Sequence, residues 1–287
     1  MQNDFQIARY PFQLRVSSED GALGAAVQRA LDSVLRAFRC ADFTAIPPQN
    51  APVVVETPAG LIHFIPSQAC HQVEIQLYPS SNDVAALVDA LEPEIINHAV
   101  RESPGLLWIH GACLHRKGET ILLVAASGTG KTSLSLGLLH EGFRLLTDDV
   151  ILIDPKTRCF LPLPRCPKVR PPTPEYLRAL GFDLAREAHL FERYVLLPDH
   201  RLYRLPLPVA VDRLYLLTRS GDGPAQTQKL DVTSGIIGLL ERSNLIAMDP
   251  DLTLAHDLFR GTRFLAMNLG EFERDVASIS RRHPGQN

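Results

Sequence analysis

The chain has 287 residues, of which 45% are hydrophobic, 21% charged and 7% aromatic, a composition suited to a globular enzyme with a proper core in one large domain or two modest ones. A formal net charge of −3 supplies no excess of cations to neutralise a nucleic-acid backbone, so no nucleic-acid partner is expected. No apolar run approaches the ~20 residues of a membrane helix, and Met1 to Tyr10 is polar with both charge signs, unlike a signal peptide. No membrane partner is expected, and the chain reads as cytoplasmic. Its five cysteines (Cys40, Cys70, Cys113, Cys159 and Cys166) form no C-x-x-C pair and are odd in number, which suits thiols in a reducing compartment.

Residues 1–103 read as an α+β region. Phe12, Leu14 and Val16 alternate with polar residues as a half-buried strand does, and Leu23, Val27, Leu31, Val34 and Phe38 recur at helical spacing. Val53 to Glu56 and Leu61 to Ile65 predict a hairpin turning at Pro58-Ala59-Gly60. Val73, Ile75 and Leu77 predict another strand, and Val84, Leu87, Leu91, Ile95 and Ala99 a second helix. Nothing in this region carries recognisable chemistry; it serves packing or the recognition of a partner or substrate.

Residues 104–287 form the second expected domain. Leu106 to Arg116 and Thr120 to Val124 read as strands around a turn at 117–119, and a helical stretch through Leu134, Leu138 and Leu139 ends at Gly142. Arg144 to Ile153 reads as one strand with two aspartates inside it. Seven prolines between Pro155 and Pro174 predict a rigid loop without regular structure. Val209 to Leu217 and Phe264 to Leu269 look like strands, Ile236 to Leu240 and Leu252 to Phe259 like helices, and the tail from Arg281 is expected to fray.

The segment Ala125-Ala126-Ser127-Gly128-Thr129-Gly130-Lys131-Thr132, followed by Ser133, matches a Walker A P-loop with alanine at its first position. Such a loop works because successive backbone N–H groups and a helix N-terminus converge on phosphate oxygens. Glycine lets the backbone come close, Lys131 would neutralise the β and γ phosphates, and Thr132 would coordinate Mg²⁺. An apolar strand leads in and a helical pattern leads out, as the mechanism requires. Ala125 fits if it keeps a negative φ at the end of that strand.

Asp148 and Asp149 interrupt an apolar run 17 residues after Lys131. Burying a carboxylate is costly without a metal or a hydrogen-bond donor, so one aspartate is expected on the metal and the other as a proton acceptor. His110, at the end of Leu107-Trp108-Ile109, lies one hairpin before the loop and within reach of both. Arg158, Arg165, Lys168 and Arg170 form a basic stretch among the prolines, from which Arg165 or Lys168 could reach a transferring phosphoryl group.

With these residues assembled, the stretch from Trp108 to Asp154 resembles HPr kinase/phosphorylase and its kinase-like relatives. The marks are Ile-His-Gly at 109–111, Ser-Gly-Thr-Gly-Lys-Thr at 127–132 and Gly-Phe-Arg-Leu-Leu-Thr-Asp-Asp at 142–149. Pro162-Leu163-Pro164-Arg165-Cys166-Pro167-Lys168 resembles a proline–arginine segment of relatives found in peptide-modifying gene clusters. The resemblance implies an α/β fold with a P-loop core and a mixed, phosphoenolpyruvate-carboxykinase-like sheet. It implies ATP and Mg²⁺ as cofactors, with Asp148 as general base, Asp149 with Thr132 on the metal, and His110, Lys131 and Arg165 at the reacting centre. The expected activity is transfer of the γ-phosphate to a hydroxyl, serine above all, of a peptide or small protein. The family often forms oligomers, so a homo-oligomer is compatible with it. A nucleotide-binding regulatory module and a small-metabolite kinase remain open alternatives. The family's downstream glycine-rich signature with a metal-binding glutamate is not found here.

Overall fold

The computed structural model describes residues 4–39, 51–67, 70–79, 83–169, 189–191, 194–219, 226–248 and 252–281. Cys40, Arg170, Pro171, Pro172, Pro174 and the tail beyond Arg281 lie outside them. The chain divides into two units, Met1–Pro104 and Gly105–Asn287.

In the first unit, β1 (Asp4–Ile7), β2 (Tyr10–Ser17), β3 (Val53–Thr57), β4 (Gly60–Ile65) and β5 (His71–Leu77) form one sheet in the order β1-β2-β5-β4-β3. Only the β2–β5 pair is parallel. The helices α1 (Gly21–Val34) and α2 (Val84–Arg101) pack on each other. Asp20 and Asp83 start them by accepting hydrogen bonds from the N–H groups of the first turn, which have no partner inside the helix. Their apolar stripes, with Val27, Leu31, Leu87, Leu91 and Ile95, form a core with Phe12, Phe64, Val73 and Ile75 of the sheet.

This core contains a histidine with an acid-sensitive consequence. His98 stacks on Phe64 with ring centroids 3.6 Å apart, Tyr10 meets its edge at 5.4 Å, and Tyr10 stacks on His71 at 4.2 Å. Burial pushes the His98 imidazole from 6.5 down to about 4, against a smaller opposing pull from Glu102, and burial also lowers His71. A folded pKa below the unfolded one means that the unfolded chain takes up protons first as pH falls. Stability is therefore complete above pH 6.5 and declines between 6.5 and about 4, by roughly 3 kcal/mol for His98. Urea unfolding of the full chain across this range should show that decline, and His98→Phe should flatten it. An unchanged slope in the variant would place the acid sensitivity elsewhere.

The second unit is built on a larger sheet. Its strands are β6 (Leu107–Arg116), β7 (Glu119–Ala125), β8 (Arg144–Thr147), β9 (Val150–Asp154), β10 (Cys159–Leu161), β13 (Leu207–Pro208), β14 (Arg213–Thr218), β15 (Gln226–Lys229) and β16 (Arg263–Asn268). A separate hairpin joins β11 (His189–Phe191) and β12 (Tyr194–Leu196). The helices are α3 (Lys131–His140), α4 (Val232–Leu240), α5 (Leu245–Met248), α6 (Thr253–Leu258) and α7 (Phe272–Ser280). The sheet runs β13-β10-β9-β6-β7-β14-β16-β15, with β8 also on β6. Strands β7, β14 and β16 are mutually parallel and the other pairs antiparallel, so the sheet is mixed and the fold α/β. Strand β7 is buried along its whole length, which explains its unbroken apolar run. Leu122, Val124, Ile151, Leu214, Ile236 and Phe264 share the core on one of its faces.

Two expectations are corrected here. The single strand over 144–153 is two strands, β8 and β9, broken at Asp148-Asp149, because Asp149 adopts a left-handed backbone (φ 77°). The two aspartates therefore do not alternate across a sheet. Within the proline-rich stretch, β10 is regular and pairs with β9 and β13. The prolines of that stretch lie on either side of it, while Pro208 of β13 stands opposite Cys159 in the strand at the edge of the sheet. Among the described residues no helix is long and apolar enough to cross a membrane.

Candidate active site

The site lies where β7 ends. Ala125 closes that strand, is fully buried and keeps a negative φ. The chain then turns through residues 126–130, with Gly128 and Gly130 at φ 82° and 111°, a backbone that disfavours any side chain. Thr129 steadies the turn: its hydroxyl donates to the Ala126 carbonyl at 2.9 Å. Gly130 caps α3 without any side-chain acceptor, so the first N–H groups of the helix remain available to an anion. Ser127 is exposed, and Thr132 and Ser133 are half-buried in the first turn of the helix.

Four side chains from different elements converge beside this loop. Lys131 is buried, and its Nζ donates to His110 Nε2 at 3.1 Å. His110 Nδ1 faces Asp149 Oδ1 at 3.3 Å, so the neutral ring that accepts from the lysine can donate to the carboxylate. Lys131 Nζ is itself 3.9 Å from Asp149 Oδ1, and Arg165 Nη1 pairs with Asp149 Oδ2. Arg165 arrives because Leu163 bridges to Thr147, bringing the proline-rich chain alongside β8.

The backbone explains why His110 and Asp149 meet. The Gly111 N–H donates to the Asp149 carbonyl at 3.1 Å, where β6 passes the break between β8 and β9. A Cβ on Gly111 would lie 2.8 Å from the Leu123 carbonyl oxygen and 2.9 Å from the Ile151 side chain. Glycine after His110 thus lets β6 approach β7 closely, and a larger residue would move the histidine away from the loop.

Asp148 takes another course. It is buried, its Oδ2 accepts from the Thr132 hydroxyl at 3.0 Å, and its Oδ1 has no hydrogen-bond partner. Burial raises the Asp148 pKa, with Lys131 opposing. For Asp149 burial acts in the same direction, but Arg165, Lys131 and His110 together outweigh it and hold the carboxyl below its ordinary value. Burial, with Lys131 next, lowers His110 and keeps it neutral near pH 7; burial also lowers Lys131.

Two other members of the basic stretch go elsewhere. Arg158 pairs with Asp257 at 3.3 Å, and Lys168 lies over the Tyr194 ring at 5.4 Å. The cluster thus unites His110, Lys131, Asp148, Asp149, Thr132 and Arg165. One neighbour carried no signal in the sequence: Arg219, just past β14, lies against Gly130.

The fold and this cluster define a mixed α/β protein with a glycine-containing loop at the carboxyl end of a buried parallel strand, beside a Lys–His–Asp–Arg constellation. In sequence the chain is HPr-kinase-like. It is 31% identical over 101 residues to a putative HPr kinase/phosphorylase 2 of Oceanobacillus iheyensis, covering 35% of this chain and 31% of that protein. It is 49% identical over 41 residues to an HPr kinase/phosphorylase of Lactobacillus acidophilus, covering 14% of this chain and 13% of that protein. The chain thus matches less than a third of the length of either relative. The solved Hpr(Ser) kinase/phosphatase of Coxiella burnetii aligns with 60% of this chain and 91% of its own at 12% identity, with a TM-score of 0.32. No protein-family model matches the chain.

Proposed function

We propose that the chain is an HPr-kinase-like, Mg-ATP-dependent phosphotransferase acting on a hydroxyl, that of a serine on a peptide or small protein. The observation that carries this reading is the meeting of Lys131, His110, Asp149 and Arg165 beside a loop whose helix N-terminus has no side-chain cap. In this reading Ala125 to Ser133 cradles the phosphates as a P-loop, with Lys131 neutralising their charge.

The donor set suits a hard divalent cation. The orphaned, buried Oδ1 of Asp148 beside the Thr132 hydroxyl lacks the partner that a buried carboxylate oxygen requires. Two protein donors are enough for Mg²⁺, since this ion takes few protein ligands and fills its shell with water and phosphate oxygen. Bound there, it would neutralise charge on the phosphate oxygens.

These distances favour the opposite division of labour from the one implied by the resemblance. Asp148, bonded to Thr132, serves the metal side. Asp149 is the more exposed carboxylate, stays ionised at neutral pH, and is oriented by His110 and Arg165 to take the acceptor's proton. Arg165 adds positive charge where a transferring phosphoryl group would gather it. The 1–103 region would then recognise the partner.

Incubation of the purified protein with Mg-ATP and a broad peptide panel, followed by mass spectrometry, should give products heavier by one phosphate on a hydroxyl residue. Tight ATP binding with no transfer to any acceptor would instead favour a nucleotide-binding regulatory module.

A further inference from the structure

Arg219 follows β14, the strand that lies parallel to β7 on its side away from β6. In that ladder Leu217 is the partner of Ala125, so Arg219 leaves the sheet where the loop begins. Its side chain turns to the loop. A Cβ built on Gly130 would lie 3.4 Å from Arg219 Nη2 and 3.9 Å from its Cζ, with Leu269 at 3.6 Å on the same side. The guanidinium therefore rests on the very glycine that caps α3.

Three sources of positive potential thus surround one backbone position: the uncapped amino end of α3, the buried ammonium of Lys131, and Arg219. Among the described residues no carboxylate is in ion-pair contact with Arg219. Asp275 senses its charge, but that carboxylate accepts the Gly270 N–H at 3.1 and 3.3 Å. An exposed guanidinium held against a loop with free helix N–H groups, with no acid paired to it among the described residues, is arranged for an anion brought from outside.

We infer that Arg219 is a second cation for the phosphate chain of a nucleoside polyphosphate, entering from β14 while Lys131 enters from α3. The inference rests on the phosphotransferase reading above and adds to it a residue that neither the loop motif nor the kinase resemblance contains. Arg219 then acts in binding and orienting the donor, with no bond to make or break. The competing role is a strut, in which Arg219 steadies α7 through Asp275.

Calorimetric titration of the full chain with Mg-ADP and with adenosine separates these roles. Arg219→Ala should weaken Mg-ADP about ten- to a hundredfold, as loss of a charged hydrogen bond does. Arg219→Lys should restore part of that loss, adenosine affinity should not change, and the melting temperature of the ligand-free protein should stay that of the wild type. Asp275→Asn should keep Mg-ADP affinity. Arg219→Ala binding Mg-ADP within about twofold of the wild type, or an equal loss in Asp275→Asn with a lowered melting temperature in both, would overturn the inference. A wild-type chain that binds no Mg-ADP at all would instead bring down the phosphotransferase reading, and this inference with it, before any variant is compared.

Discussion

Asp149→Asn is expected to lower turnover by about 10²- to 10⁴-fold while ATP affinity stays close to that of the wild type. The amide keeps the size of the carboxylate and can still face His110, but it cannot accept a proton from an attacking hydroxyl. Asp148→Asn should behave differently, because its carboxylate is bonded to Thr132 and buried away from any acceptor. That variant should raise the Mg²⁺ concentration needed for half-maximal rate, and excess Mg²⁺ should recover part of the activity. Steady-state kinetics of the two variants across a Mg²⁺ series reads both effects. If Asp148→Asn loses turnover without any change in Mg²⁺ dependence, and Asp149→Asn does the reverse, the roles are those implied by the family resemblance.

The same cluster shows what a sequence can and cannot convey. The loop was legible because its requirements are local: glycines at 128 and 130, a lysine opening a helix, and an apolar strand leading in. His110-Gly111 was legible through its order and spacing, and the structure supplies the reason, a glycine packed against the Leu123 carbonyl. The break at Asp148-Asp149 was not legible. Flanked by apolar residues, the pair reads as strand interior, and the left-handed turn at Asp149 depends on the Gly111 N–H, which comes from another strand. Arg219 was invisible for a similar reason, since only the parallel pairing of β7 with β14 brings it to the loop. The signal of α7 was present, as Phe272, Val276 and Ile279 recur at helical spacing, but the helix is short and mostly polar. Strand β15 gave no pattern, because all four of its residues are exposed.

The largest expected effect on stability lies at the opposite end of β7. Glu119 begins that strand and Arg213 begins β14; both are buried, and Arg213 Nη2 pairs with Glu119 Oε1 while its Nη1 donates to the Tyr215 hydroxyl at 2.9 Å. Arg116 approaches the other carboxylate oxygen at 3.8 Å, too far to replace the lost donor. Arg213→Met would leave the Glu119 charge without its close partner in a site that excludes water, and should cost about 3–5 kcal/mol in urea unfolding at neutral pH. Adding Glu119→Leu should recover most of that loss, because two apolar side chains can fill the space once held by two charges. The seven residues from Glu119 to Ala125 span about 20 Å of strand, so the variant that remains folded should keep the wild-type nucleotide affinity. A single variant that loses less than about 1 kcal/mol would mean that Arg116 shifts to take over the pair. A loss of affinity in proportion to stability would instead mean that the register of β7 against β14, and with it the position of the loop, depends on this ion pair.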